Sequence, residues 1–458
     1  SFLPMACDTR DVEVNLLSGA TVCVQASSAD TVLNLRVRVA EVLGARQGRV
    51  RLIGSSGTAL LDSKSVASLT ELNAPVQAVI LPQAVAVSAS GDGDLQVWDI
   101  LSCSRIGSLE EHRGVVRSLC VDFEASQALC GSNDGSVRLW DLALLRCLAD
   151  LQPAHRGAVI ALQANFALQR AISGSHDGSI NVWDLAGRRL AMALRSHRNA
   201  IRAISVDFTA GRAVSGSDDR TVRLWEWPEL EVWHTTGEKC TLVGHEGPVS
   251  VLCCAKPVGL RFVLSGSEDC TLRLWESERC LCKLVGHTRP VTGLQADFED
   301  NPDKEAPGGR AVSASDDGSV RMWDLKTFTC LLVLDGHLQG VAVLAVDFRA
   351  AEKGLAVSGS YDGEVRLWDL SSAEGRCLRS MQATMGALTA MSVDFNTMRA
   401  MVGSFNGVVQ LWDLAASYCF GVLEAHDGPV LALAADLRAS KASSALNVAG
   451  TAVQAGAC

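Results

Sequence analysis

Residues 173–185 read SGSHDGSINVWDL, and near-copies of this stretch recur along most of the chain. Each copy carries a Trp near its end: Trp98, Trp140, Trp183, Trp225, Trp275, Trp323, Trp368 and Trp412. Neighbouring copies lie 42 to 50 residues apart. A period of that size is one supersecondary unit that cannot bury its apolar face alone and must stack on its neighbours. The repeat therefore decides the fold. It also absorbs a length of 458 residues that would otherwise suggest about three domains.

The unit from His197, HRNAIRAISVDFTAGRAVSGSDDRTVRLWEW, shows how one copy folds. Alternation in AIRAISVDF predicts a first strand, RAVSGS a second after a short turn, and TVRLW a third. A short fourth strand, as in RCLADL from Arg146, completes the unit. A four-stranded sheet this small cannot bury both faces by itself. Radial stacking of such sheets gives an all-β fold, a β-propeller.

On these motifs the chain resembles the WD-repeat propeller family from about residue 84 to 436. The resemblance implies a hydrogen-bonded His, Ser or Thr, Asp and Trp in each blade. Here the pattern lands on His155, Ser173, Asp177 and Trp183, and again on His197, Ser215, Asp219 and Trp225. It recurs at His245, Ser265, Asp269, Trp275; at His287, Ser313, Asp317, Trp323; and at His337, Ser358, Asp362, Trp368. The imidazole is expected to bridge the carboxylate and the hydroxyl while the indole N–H donates to the hydroxyl, so each buried polar atom has a partner. Two copies depart from the pattern. Cys130 replaces Ser between His112 and Asp134, and Thr384, Val402 and Asn406 replace His, Ser and Asp ahead of Trp412. Losing all polar partners together is nearly neutral, whereas losing one leaves an orphan. A Ser, His and Asp set also suggests a hydrolase, but a nucleophile needs exposure and an oxyanion hole, and one copy would suffice. No catalytic residue is expected.

The Trp98 copy has Ser88 and Asp92 but no upstream His, while His426 opens HDGPVLALAADL with no later copy to join. The two halves fit each other. Residues 429–435 are expected to supply the missing strand, with His426 completing a set with Ser88, Asp92 and Trp98. The expectation is an eight-bladed propeller over 83–436, closed by its C-terminal strand, with 437–458 as a flexible tail.

A hydrophobic content of 48% and a charged content of 20% describe a globular chain. The net charge of −10 argues against nucleic acid as a partner. Sixteen Cys are present; Cys147, Cys240, Cys282, Cys330, Cys377 and Cys419 each follow a Trp motif, a spacing that opposes pairing. The start SFLPMACDTRD lacks a basic n-region and a long apolar run, and Met5 reads as the natural start. Reduced cysteines in a cytoplasmic or nuclear setting, with no membrane partner, are therefore expected. The cysteines of the fifth copy (Cys253, Cys254, Cys270, Cys280 and Cys282) lack a His pair at zinc spacing, so no metal and no cofactor is expected.

After an extension over 1–10, residues 11–82 read as a hairpin through DVEVNLLSGATVCVQA, then a helix capped by Asp30 or Thr31. Val32, Leu35 and Val39 share one helix face, Gly44 ends it, and VRLI and a strand at 76–81 follow. This order is similar to the ubiquitin (β-grasp) fold, a small α+β domain. The resemblance implies an apolar patch at Leu17, Ile53 and Val79; the alternative is that Val79 is core.

Repeated residues say least about function, so partners must be read from what varies. The residue before each turn Asp runs Gly91, Asn133, His176, Asp218, Glu268, Asp316, Tyr361, Phe405. Three acids followed by two aromatics suit a basic, Lys- or Arg-bearing peptide; Arg117 and Arg202 nearby either take part or neutralise the acids. Solvated, variable turn residues are the plain alternative. Trp227 and Trp233 are either exposed interface anchors or fold back on their blade. Asp122, Asp207, Asp297, Asp347 and Asp394 end the first strands, and Arg212, Arg310 and Arg399 suggest cross-strand ion pairs.

The function expected is a non-enzymatic scaffold or adaptor for protein–protein interaction. The propeller would hold one partner while the ubiquitin-like domain docks another, an analogy of fold that points to ubiquitin–proteasome pathways. The alternative is a ribosome-assembly factor of the Notchless type, which pairs the same domains; the acidic balance opposes it. An enzyme is disfavoured, since no nucleophile elbow, phosphate loop or metal spacing is present.

Overall fold

The computed structural model describes residues 9–16, 21–27, 30–43, 50–53, 76–80, 85–109, 112–195, 197–226, 237–254, 261–276, 278–299, 308–349, 354–371, 375–384, 386–424 and 426–437. Two compact units are present, one built on Ser1–Gln83 and one carrying the repeats.

In the first unit β1 (Thr9–Leu16) and β2 (Thr21–Ser27) form an antiparallel hairpin, α1 (Val32–Val42) follows, and β3 (Val50–Ile53) and β4 (Val76–Ile80) complete a sheet of order β2–β1–β4–β3. β1 and β4 run parallel at its centre. Period-two alternation places Val12, Val14, Val24 and Ala26 on one face, where they pack with Leu35, Val39, Leu52 and Val76. Val32, Leu35 and Val39 are each at most 1% exposed, as a shared helix face requires. Thr31 caps the helix by accepting the Asn34 N–H at 3.4 Å, and Asp30 accepts the Ser27 N–H at 2.7 Å while pairing with Arg38 at 2.8 Å.

The second unit is a propeller of eight four-stranded antiparallel sheets. Strand positions are lettered a to d from the axis outward, and blades are numbered by the order of their Trp. Blade 3 is representative: Val159–Asn165 (a), Arg170–Ser175 (b), Ser179–Asp184 (c) and Arg189–Arg195 (d). The b strands are the most buried: Arg170 and Arg212 are half-buried, and Ala171–Ser175 and Ala213–Ser217 lie fully inside. Neighbouring blades meet closely at the small residue of the SGS motif. A Cβ on Gly174 would come within 2.7 Å of Ile201, and one on Gly216 within 2.7 Å of Val249, each on the a strand of the next blade. In blade 6 the motif carries Ala314, and the a strand answers with Gly293 at the facing position. The extra methyl on one strand is matched by its absence on the other.

Blade 1 is assembled from distant parts of the chain. Val430–Ala435 forms its a strand and pairs with Val85–Ser90, placing Leu433 opposite Ser88 and Ala435 opposite Ala86. Closure pairs the strand edges that would otherwise be open. Val430 is fully buried and packs with Met401, Val409 and Leu411 of blade 8.

The acids at the ends of the a strands act differently from the expected ion pairs. Their registers are as anticipated, with Asp207 opposite Arg212, Asp297 opposite Arg310 and Asp394 opposite Arg399. Yet Asp207 accepts from Thr209 and the Ala210 N–H, and Asp394 from the Asn396 N–H and the Thr397 hydroxyl. Arg212 pairs instead with Glu226 on strand c at 2.6 Å, and Arg399 lies over the Phe420 ring at 5.0 Å. A carboxylate two residues ahead of an open N–H closes an Asx turn locally, whereas the long Arg side chain is free to reach elsewhere. No disulfide links the cysteines among the described residues.

Candidate functional site: the turn face of the ring

The b–c turns of blades 1 to 7 carry the Asp of each set, blade 8 carries Asn406 there, and each turn adds a neighbouring residue of variable type. In blade 5, His245 Nε2 lies 2.8 Å from Ser265 Oγ, Trp275 donates to the same hydroxyl at 2.8 Å, and His245 Nδ1 lies 2.7 Å from Asp269. Blades 4 and 6 repeat this, with His197–Asp219 at 2.8 Å and His287–Asp317 at 2.9 Å. In blade 1, His426 lies 2.8 Å from Ser88 and 3.2 Å from Asp92, and Trp98 donates to Ser88 at 2.9 Å. The serines are fully buried.

The direct bridge to Asp is not universal. In blade 3, His155 Nδ1 meets the Ser179 hydroxyl at 2.8 Å and stands 3.9 Å from Asp177. Blade 2 does the same through Ser136, while Cys130 takes both His112 and Trp140 on its sulfur at 2.8 and 3.0 Å. The bridging hydroxyl lies two residues after the Asp, where Thr221, Thr271 and Ser319 also stand, each donating to the carboxylate at 2.6 Å. A recurrent Asp-x-Ser/Thr was readable in the sequence and marks this fifth member. In blade 7, His337 keeps Ser358 at 2.7 Å but lies 4.0 Å from Asp362. Blade 8 has no set: Trp412 donates to Gln410 at 3.0 Å and Thr384 to the Gly386 carbonyl at 2.6 Å.

The carboxylates also hold the loop before each a strand. Asp269 accepts the Glu246 N–H at 3.0 Å and the Thr271 N–H at 3.0 Å. Burial opposes its ionisation, but hydrogen bonds from Thr271, the Glu246 N–H and His245 outweigh it and hold Asp269 at about 2. Asp134 and Asp317 are likewise held at about 2, burial being outweighed by donors that include Ser136 and Ser319. Burial lowers His112 and His337 to about 4, and nearby Arg138 and Arg366 act in the same sense.

The variable residue is anchored the same way in every blade. Its backbone N–H donates to a carbonyl of the preceding loop at 2.8 to 3.0 Å, from Gly91 through Asn133, His176, Asp218, Glu268, Asp316 and Tyr361 to Phe405. Only the side chain changes. Of the expected arc of three acids, Asp218 is claimed by Arg202, at 2.8 and 3.0 Å, and Arg117 similarly donates to Asn133 at 2.6 Å. Both arginines sit on a strands beside the turn, within reach of any acceptor there. Glu268 remains exposed, and Asp316 keeps one carboxylate oxygen buried without a hydrogen-bond partner, its pKa raised by burial. Next to them Tyr361 is 42% and Phe405 63% exposed, and Leu338 on the adjoining loop is 90% exposed.

Trp227, Trp233 and Leu17 lie outside the described residues, as do the side chains of Ile53 and Val79, whose backbones stand on β3 and β4. Among the described residues one group of metal-ligating atoms converges, His337 with Asp362 and Glu364 of blade 7. The cysteines of blade 5 do not form such a group among the described residues.

The model of the WD domain, G-beta repeat, matches residues 103–141, 145–184, 188–226, 237–276, 278–324 and 328–369, together more than half of the chain. The matches leave out most of blade 1, whose His comes from the far end of the chain, and blade 8, which has no polar set. Among relatives, 77 residues are 35% identical to Mitochondrial division protein 1 of Mycosarcoma maydis, covering 16% of this chain and 9% of that protein. A stretch of 62 residues is 37% identical to Eukaryotic translation initiation factor 3 subunit I of Saccharomyces cerevisiae, covering 14% and 18%. A third, of 56 residues, is 38% identical to Small ribosomal subunit protein RACK1y of Oryza sativa subsp. japonica, covering 12% and 17%. The chain thus spans less than a fifth of each of these relatives. Among solved structures, the computationally designed Ika8 protein superposes with a TM-score of 0.61 at 28% identity, covering 72% of this chain and 92% of that one. Repeats, blades and family model agree: this chain belongs to the WD domain, G-beta repeat family.

Proposed function

We propose that the chain is a non-enzymatic scaffold whose turn face takes a basic segment of one protein while its N-terminal unit, a ubiquitin-like β-grasp domain, docks a second. One observation carries this reading. Eight turns share one backbone anchor, yet blades 5 to 8 in succession present Glu268, Asp316, Tyr361 and Phe405. Two acids beside two exposed aromatic rings favour a cation on a flexible segment by charge and by cation–π contact. The β2–β1–β4–β3 order with a parallel central pair supports the β-grasp reading of the first unit. Adaptor work in ubiquitin–proteasome pathways and a cytoplasmic or nuclear setting follow from that domain pairing.

The test is affinity purification of the full chain, an 83–458 fragment, and an E268Q/D316N/F405A variant. Partners lost only from the fragment belong to the first unit. Basic partners lost only from the variant belong to the turn face, and an unchanged set in the variant removes that face from consideration. The second reading, a Notchless-type ribosome-assembly factor, is favoured by the names of two relatives, a translation initiation factor subunit and a small ribosomal subunit protein. Ribosome-sized sedimentation that collapses on RNase treatment would select it over the first.

A further inference from the structure

Blade 7 keeps a complete His, Ser, Asp and Trp set by sequence but not by contact. His337 has a fully buried side chain, and its Nδ1 is buried with no hydrogen-bond partner. Every other described His of a set finds a hydroxyl or a carboxylate at that nitrogen, from Ser136 for His112 to Asp92 for His426. One residue sets this blade apart from blades 2 to 6, although blade 1, with Asp94 at the same place, still keeps His426 on Asp92 at 3.2 Å. Where blades 2 to 6 carry a Ser or Thr hydroxyl two residues after the Asp, blade 7 carries Glu364.

The exchange replaces a donor with a second acceptor. Glu364 Oε2 lies 3.6 Å and Asp362 Oδ2 4.0 Å from His337 Nδ1, and the donor atoms of the three residues lie within 4.8 Å of one another. Two carboxylates thus converge on a buried imidazole nitrogen that hydrogen-bonds to neither, and a cation between them would relieve the repulsion of the two acids. The edges of a tetrahedral zinc site, with ligand bonds near 2.0–2.2 Å, measure roughly 3.3–3.6 Å. The His337–Glu364 edge at 3.6 Å already fits, the His337–Asp362 edge at 4.0 Å must shorten by roughly half an ångström, and the carboxylate–carboxylate edge, within 4.8 Å, by up to about 1.2 Å. The surroundings are already in place. Asp362 is held by the Leu338 and Glu364 N–H groups at 3.0 and 2.9 Å. Glu364 is held by the Ser380 hydroxyl and by Arg366 Nε at 2.8 Å, so one guanidinium offsets one of the two carboxylates. His337 Nε2, 2.7 Å from Ser358 Oγ, can carry the imidazole proton as a donor and leave the Nδ1 lone pair to a metal, the usual outer-shell arrangement for a ligating His.

We propose that His337, Asp362 and Glu364 form a three-ligand site for a divalent transition-metal cation of the zinc class, with the fourth position open to water or to a partner's side chain. In blades 4 to 6 a hydrogen bond to one carboxylate at 2.7 to 2.9 Å occupies Nδ1 and closes the equivalent site, whereas in blade 7 neither carboxylate comes nearer than 3.6 Å.

The test is titration of the full chain with Co2+ followed by absorption, with Zn2+ as competitor, in the parent, E364S and E364Q. E364S installs the hydroxyl of the sibling blades and is expected to keep the fold; E364Q preserves size should it not. The parent is expected to bind one Co2+ more than either variant, with weak d–d bands of nitrogen and oxygen ligation, and its melting temperature alone should rise with added Zn2+. Equal stoichiometry in parent and variants overturns the site. An extra ion with sulfur charge-transfer absorption also overturns it, because cysteines then hold the metal.

Discussion

Blades 5 and 8 build the same four-stranded sheet from opposite chemistry. Blade 5 ties His245, Ser265, Asp269 and Trp275 into one buried network. Blade 8 has Thr384, Val402 and Asn406 at those positions, buries Val402 completely, and turns the Trp412 N–H to Gln410 on its own strand. The network is therefore not what makes a blade. A joint loss of the polar partners leaves Trp412 as well satisfied as a full set leaves Trp275, whereas blade 7, with a full set by sequence, leaves His337 Nδ1 alone.

The comparison can be broken in four ways. The largest effect asks whether a sheet survives without its a strand. Truncation after residue 425 removes Val430–Ala435 from blade 1 and should lower the melting temperature by on the order of 10 °C or more. A truncated chain that melts with the parent would mean that blade 1 tolerates an open edge. Next, Ser265→Ala should cost about 2–4 kcal/mol, because it orphans the Trp275 N–H and His245 Nε2 together. The quadruple change H245T/S265V/D269N/R273Q, which copies blade 8 together with the glutamine that accepts the indole N–H, should cost less than that single change. Denaturant titration of both variants decides the point, and a quadruple variant less stable than S265A refutes the tolerance of a joint loss.

The third effect is pH. His112 and His337, held at about 4 by burial, refuse protons that the unfolded chain accepts below about 6.5. Stability should thus fall as pH drops from about 6.5 towards 4. Asp134, Asp269 and Asp317, held at about 2, contribute stability that is present above about pH 4 and lost between about 4 and 2. Melting temperature against pH should be flatter in the quadruple variant, which lacks Asp269 and His245. The smallest effect lies in the turns. After its Asp, blade 5 places Cys270 at φ 66° where blade 8 has Gly407 at 82°. Cys270→Gly should stabilise by about 0.5–1 kcal/mol, since only Gly adopts that region without strain. Calorimetry that finds a loss would show that the thiol packs usefully there.

Most of the ring was readable because its signals are periodic. The Trp spacing, the alternation in each a strand, and a His426 without a following copy all report on geometry that repeats. Less readable were choices between two nearby partners. Asp207 and Arg212 are in the anticipated register, yet each takes a different neighbour, because the Asx turn is local and Arg212 reaches Glu226 equally well. The bridging hydroxyls of Ser136 and Ser179 were present as a recurrent pattern but carry no message until the distance from His to Asp is known. On the turn face, three acids in sequence became two exposed or half-buried ones and a clamped pair, since Arg202 lies sixteen residues from Asp218 on another strand. Pattern shows which residues recur; competition among contacts is settled only in space.

The split origin of blade 1 has a consequence in time. The bond between Ser88 and His426 spans 338 residues. At synthesis rates of about 5–20 residues per second, its two halves emerge roughly 20–70 seconds apart. For that interval Val85–Ser90 is a strand with an unfilled pairing edge while the later blades fold behind it. An identical 430–435 segment from a neighbouring nascent chain fits the same edge, so crowded translation of this protein favours exchanged dimers, and dilution or an edge-covering chaperone favours the closed monomeric ring.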